Sequence, residues 1–147
     1  MKRYAPGFKA TKFLRLTSSI IIVLSLALPT RSCVTNGHAE ISFPLSAANS
    51  VGSVVVVLAL YLIPFLVNFA GPRFRTFATY VGIMSAAYNL FVSYALIAFS
   101  SSLLLGWYVN TLGNASYLLA SVVEFWQLWA RKRMAKRAAL KKLAPTA

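Results

Sequence analysis

Residues 51–70 read VGSVVVVLALYLIPFLVNFA, twenty positions without a charge. A helix crossing about 30 Å of hydrocarbon needs roughly 20 apolar residues, so this stretch is long enough to cross and sets the class of fold to expect. Pro64 lies inside it, removes one backbone hydrogen bond and is expected to kink the helix.

Further spans are expected on both sides. Residues 77–130 carry Glu124 as their single Asp, Glu, Lys or Arg. That is too long for one crossing, so the chain is expected to turn back near 100–113, with helices at 77–100 and 113–130. Residues 13–30, FLRLTSSIIIVLSLALPT, give a shorter first span entered through Arg15. The rival reading of this segment is a cleaved signal peptide ending near Thr30-Arg31-Ser32; the acid-free, Ser-containing N-terminus also resembles a mitochondrial presequence.

Composition points the same way. The 147 residues are 59% hydrophobic and 12% charged, where a soluble domain carries about 25% charged residues. This argues against a soluble enzyme and against disorder. Fifteen Lys and Arg face two acids, Glu40 and Glu124, for a net charge of +13. The basic residues sit in three groups: Lys2, Arg3, Lys9, Lys12 and Arg15; Arg73 and Arg75; and Arg131, Lys132, Arg133, Lys136, Arg137, Lys141 and Lys142. Only Arg31 falls outside them. Cytoplasmic loops hold such residues in excess, so an even number of spans puts both termini and the 71–76 turn inside. The expected fold is therefore an all-α membrane protein, a four-transmembrane-helix bundle at 13–130. A basic N-terminus at 1–12 precedes it, and a polybasic helical tail at 131–147 follows.

Few residues suggest chemistry. Ala78, Gly82, Ala86, Asn89 and Ser93 recur at spacings of three and four, a small and weakly polar stripe that lets helices approach closely. It is read as a helix-packing face, within the bundle or toward another subunit. Glu124 is an ionisable residue in an apolar segment and so a candidate functional group. Trp126 and Trp129 beside it suggest the headgroup region, where Arg73, Arg75 or the tail could pair with it. Pro64, Asn68, Asn89 and Asn114 could line a solute path, yet no internal repeat supports a transporter. Asn114-Ala115-Ser116 matches a glycosylation sequon. Cys33 is the sole cysteine, which excludes an intrachain disulfide and C-x-x-C sites. His38 has no ligand companions and reads as a turn residue beside Asn36-Gly37. No catalytic residue, metal or cofactor is expected.

The tail run RKRMAKRAALKK, with Arg131, Lys132, Arg133, Lys136, Arg137, Lys141 and Lys142, suits anionic lipid, at about 1 kcal/mol per basic residue. Its neighbouring apolar segment argues against nucleic acid as the partner.

The order of features resembles the MARVEL superfamily of four-helix membrane proteins: a basic N-terminus, Phe13-Leu14-Arg15-Leu16 opening the first helix, a longer outer loop, Ala47-Ala48-Asn49-Ser50-Val51 leading into the second, a basic turn at Gly71-Pro72-Arg73, and a basic tail. The two local stretches are similar to the plant Casparian-strip branch, which has an acidic residue in its third helix where this chain has Asn89. The resemblance implies membrane apposition, scaffolding or vesicle traffic. The expected function is thus that of a non-enzymatic membrane scaffold, organisation or trafficking component, multi-pass in the plasma membrane or an endomembrane, acting through anionic lipid and other helices. The alternatives are an accessory subunit of a larger complex, the mitochondrial inner membrane included, or a small transporter or channel component.

Overall fold

The computed structural model describes residues 6–35, 38–46, 48, 50–71, 73–95, 97 and 102–143, the side chains of 6–9, 35, 131–132 and 135–143 excepted. Among the described residues four helices and three short strands follow in the order α1 (Pro6–Ser25), β1 (Arg31–Thr35), β2 (His38–Ser42), α2 (Val51–Leu66), a 3-10 turn (Val67–Phe69), α3 (Arg75–Ala95), β3 (Ser102–Leu103) and α4 (Leu105–Leu143). α1 packs most extensively on α4, α3 packs on α4 and on α2, and α2 touches α1.

Local chemistry explains the helix ends. Ser50 caps α2: its hydroxyl accepts the Ser53 backbone N–H at 3.2 Å, while Ser53 Oγ accepts the Ser50 N–H at 3.0 Å. Pro64 has no N–H, so the Leu60 carbonyl four residues back loses its helical donor. Ser85 of α3 donates to that carbonyl at 3.3 Å. Asn68 ends the same helix by donating to the carbonyls of Pro64 at 2.9 Å and Phe65 at 3.2 Å. The expected kink site is thus a cross-linking site between helices.

One end of the bundle carries a three-stranded antiparallel sheet in the order β2-β1-β3. Register pairs Cys33 with Glu40 and Thr35 with His38, and on the other edge Arg31 with Leu103. The expected Asn36-Gly37 turn lies outside the described residues.

These observations correct the four-transmembrane-helix bundle. Among the described residues one helical stretch, Val51–Phe69, is long and apolar enough to cross a membrane. The others are diluted: α1 carries Lys9, Lys12 and Arg15, α3 carries Thr79, Ser85, Asn89 and Ser93, and α4 carries Asn110, Asn114, Ser121 and Glu124. The fold is not all-α either, because the sheet joins the α1–α2 connection to the α3–α4 connection. The expected limits 13–30, 77–100 and 113–130 give way to earlier starts, and α1 and α3 also end sooner. The orientation argument from an even number of spans falls with the count.

Candidate functional site: polar clusters inside the bundle

The helices α1, α3 and α4 contribute polar side chains to the interior. In α1 they are Arg15, Ser18, Ser19 and Ser25, at positions three, four and seven residues apart that share one helical face. In α3 the inward face is Ala78, Thr79, Gly82, Ser85, Ala86, Asn89 and Ser93, and in α4 it includes Asn110, Asn114, Tyr117, Ser121 and Glu124. Two clusters result.

The first is centred on Glu124, which is fully buried. Its Oε2 is 2.6 Å from Arg15 Nη1, and its Oε1 accepts from Arg75 Nε at 3.0 Å and Nη2 at 2.5 Å. Arg15, 1% exposed, also donates through Nε to Asn68 Oδ1 at 2.7 Å and through Nη1 to Thr79 Oγ1 at 3.2 Å. Asn68 Nδ2 donates to Ser19 Oγ at 3.0 Å, and Thr79 Oγ1 to the Arg75 carbonyl at 2.8 Å. A buried charge is tolerated only when paired and hydrogen-bonded. Here one carboxylate joins α1, α3 and α4, and Asn68 adds the end of α2. Oε1 is occupied by two Arg75 donors, and Oε2 lies in the ion pair with Arg15 without a hydrogen bond among the described residues, so the arrangement clamps helices rather than presenting an open acid or base.

The second cluster lies nearer the sheet. Asn110 Oδ1 accepts from Asn114 Nδ2 at 2.9 Å and from Ser25 Oγ at 3.3 Å. Asn110 Nδ2 therefore faces α3, donating to Ser93 Oγ at 3.0 Å and Asn89 Oδ1 at 3.2 Å. Trp107 Nε1 donates to the Ser93 carbonyl at 2.8 Å, fixing the indole ring at the same level.

Between the clusters the helices meet closely. A Cβ on Gly82 would run into the Tyr117 hydroxyl and Val67 Cγ2, so only glycine lets α3 approach α4 and the 3-10 turn here. Ala78, Gly82, Ala86, Asn89 and Ser93 are all buried within the protein.

Pro64 is buried beside this interior. Glu124 is paired with Arg15 and Arg75. Of the expected lipid-contacting residues, Arg133 is exposed with its guanidinium carbon 3.6 Å from the Trp129 ring centroid, a cation–π contact. Arg131, Lys132, Lys136, Arg137, Lys141 and Lys142 lie along α4, but their side chains fall outside the described ones. Cys33 lies on β1, and exposed His38 opens β2. Asn114 is fully buried in α4, which leaves its sequon without an accessible acceptor in the folded state.

Arg15, Asn110 and Ser25 were not among the expected site residues. In the sequence Arg15 counts among the charges that mark sidedness, and the signal that places it inside is the helical spacing of Arg15, Ser18, Ser19 and Ser25. Among the described residues no group of three or more His, Cys, Asp or Glu could hold a metal ion. No family profile, no curated protein and no solved structure matches the chain.

Proposed function

We propose that this chain is a non-enzymatic integral membrane protein, a scaffold, organisation or trafficking component that works through helix–helix and lipid contacts. The observation that carries the reading is an inverted distribution of polarity. The interior holds Arg15, Glu124, Asn89, Asn110 and Asn114, whereas α3 exposes Phe77, Tyr80, Met84, Tyr88 and Phe91, and α4 exposes Leu112, Leu119, Val122 and Trp126. A water-soluble helix buries its apolar stripe and exposes its polar face. The reverse arrangement suits hydrocarbon, where polar groups must find partners inside. In the stretch Val51–Phe69 only 11% is buried within the protein, unlike the core helix of a soluble domain.

The exposed Trp126–Trp129 pair and Arg133 fit a membrane–water interface, and the basic tail beyond fits anionic headgroups. The MARVEL-like resemblance adds a membrane-organising role as part of the same proposal. A second reading, an accessory subunit of a larger membrane complex, is favoured by the exposed tyrosines Tyr80, Tyr88 and Tyr94 on α3. A partner helix could take up both their rings and their hydroxyls.

The test is extraction of membranes holding the full chain, first with alkaline carbonate and then with mild detergent, followed by the mass of the released particle. Retention through carbonate and release by detergent as a monomer or small homo-oligomer supports the scaffold reading. A stoichiometric set of other proteins turns it to the accessory subunit. Release by carbonate as a soluble chain sinks both.

A further inference from the structure

The outward face of α3 carries bulky side chains where its inward face carries small ones. Phe77, Met84 and Phe91 stand seven residues apart, and Tyr80, Ala87 and Tyr94 repeat that interval three residues on, with Tyr88 beside them. All are exposed, the large ones by 54–74%. Two staggered rows at seven-residue spacing form the a and d pattern by which one helix packs along another. The stripe holds no charged residue.

Its chemistry suits neither water nor hydrocarbon. An aromatic side chain buries about 150–250 Å², so these exposures leave about 700 Å² of the stripe uncovered, where the largest apolar patch of a monomer in water is about 300–600 Å². Hydrocarbon takes the rings but not the hydroxyls of Tyr80, Tyr88 and Tyr94, which make no hydrogen bond among the described residues. Headgroups accept both, yet Tyr80 and Tyr94 lie about 21 Å apart along the helix, against a headgroup layer roughly 5–8 Å deep. Another protein face supplies an apolar seat and hydroxyl partners together.

We infer that the occupant is a second copy of this chain, with α3 packed on α3 in a parallel homodimer. In a two-fold contact each residue meets its own copy, which penalises any face that carries charge or donors alone. This stripe meets that condition, because its rings are apolar and a phenol hydroxyl both donates and accepts. Ala87, midway along, is the small residue that lets the two helices approach. The uncovered area nears the roughly 800 Å² per partner of a stable interface. Copies inserted in one membrane share sidedness, which makes the pairing parallel, and this orientation rests on the membrane reading proposed above.

The test places single cysteines in a Cys33→Ser background of the full chain and treats the membranes that hold it with a short bis-methanethiosulfonate. Phe77→Cys and Ala87→Cys should each cross-link to a dimer at several times the yield of Leu119→Cys, an exposed position of α4 that reads chance collision. Purified in mild detergent, the parent chain should scatter light as a dimer. Tyr80→Phe combined with Tyr88→Phe keeps the rings and should weaken association severalfold. Ala87→Trp, on the exposed face, should weaken it by roughly tenfold or more with helix content by circular dichroism unchanged. Yields at 77 and 87 no higher than at 119 overturn the dimer. So does association unchanged by Ala87→Trp, or a particle of one copy with a different protein, which gives the stripe to an accessory-subunit contact. Cross-linking at 87 without 77 overturns the parallel arrangement, and association unchanged by the paired tyrosine substitutions overturns the part given to the hydroxyls. Release of the chain by carbonate sinks the membrane reading and the parallel orientation with it, while the yield at 87 still decides the contact.

Discussion

Glu124 is the residue on which most of the interior depends. It neutralises two guanidinium groups from different helices, and one of them, Arg15, has no route to solvent. Glu124→Gln keeps the shape but leaves Arg15 buried without a counter-charge, a loss of roughly 3–5 kcal/mol. Thermal unfolding of the purified protein in mild detergent measures it. Arg15→Met combined with Glu124→Leu should cost less than the sum of the two single changes, because Arg75, whose side chain is 25% exposed, can turn outward. Gly82 presents the steric counterpart. Gly82→Ala places a methyl against the Tyr117 hydroxyl and should destabilise by about 1–3 kcal/mol. Part of that loss should return in a Tyr117→Phe background, which removes the nearest atom.

Among the helices, α2 shows how a local defect becomes a tertiary contact. Pro64 strips the Leu60 carbonyl of its helical donor, and Ser85 of α3 supplies another. Ser85→Ala should therefore cost about 1 kcal/mol in the parent chain and close to nothing once Pro64→Ala has restored the helical bond. A double-mutant cycle on the unfolding midpoint separates the two. In α3 the small face turns inward and the aromatic face outward, so one 21-residue helix serves the core with its least bulky side chains. α4, at 39 residues, runs about 58 Å at 1.5 Å per residue, reaching from the sheet through both polar clusters to the basic segment.

For the molecule as a whole, the exposed apolar surface is the property to challenge. Val56 of α2 is 53% exposed. In water Val56→Lys should change stability by no more than about 0.5 kcal/mol. In hydrocarbon a lysine within a span costs about 2.5–3.5 kcal/mol at its centre, so the substitution should lower the membrane-integrated fraction severalfold. Comparing carbonate-resistant protein between parent and variant decides which solvent surrounds this face.

Length and the absence of charge were enough to locate α2, because twenty uncharged residues depend on nothing else in the chain. The face shared by Ala78, Gly82, Ala86, Asn89 and Ser93 was visible too, since helical spacing is a local rule. Charge counting was a poorer guide: it treated Arg15 as a marker of sidedness, although its serine neighbours at helical spacing marked an inward face. The number of apolar runs was likewise a poor measure of spans, because Asn, Ser and Thr that look like dilution in one helix become partners only against another. The sheet was hidden because β3 is two residues long and exists by pairing with β1, about seventy positions away. Local spacing decides which faces a helix has. Only the packing of four helices decides which polar groups meet, since a buried hydrogen bond needs both ends brought to within about 3 Å by chain segments remote in sequence.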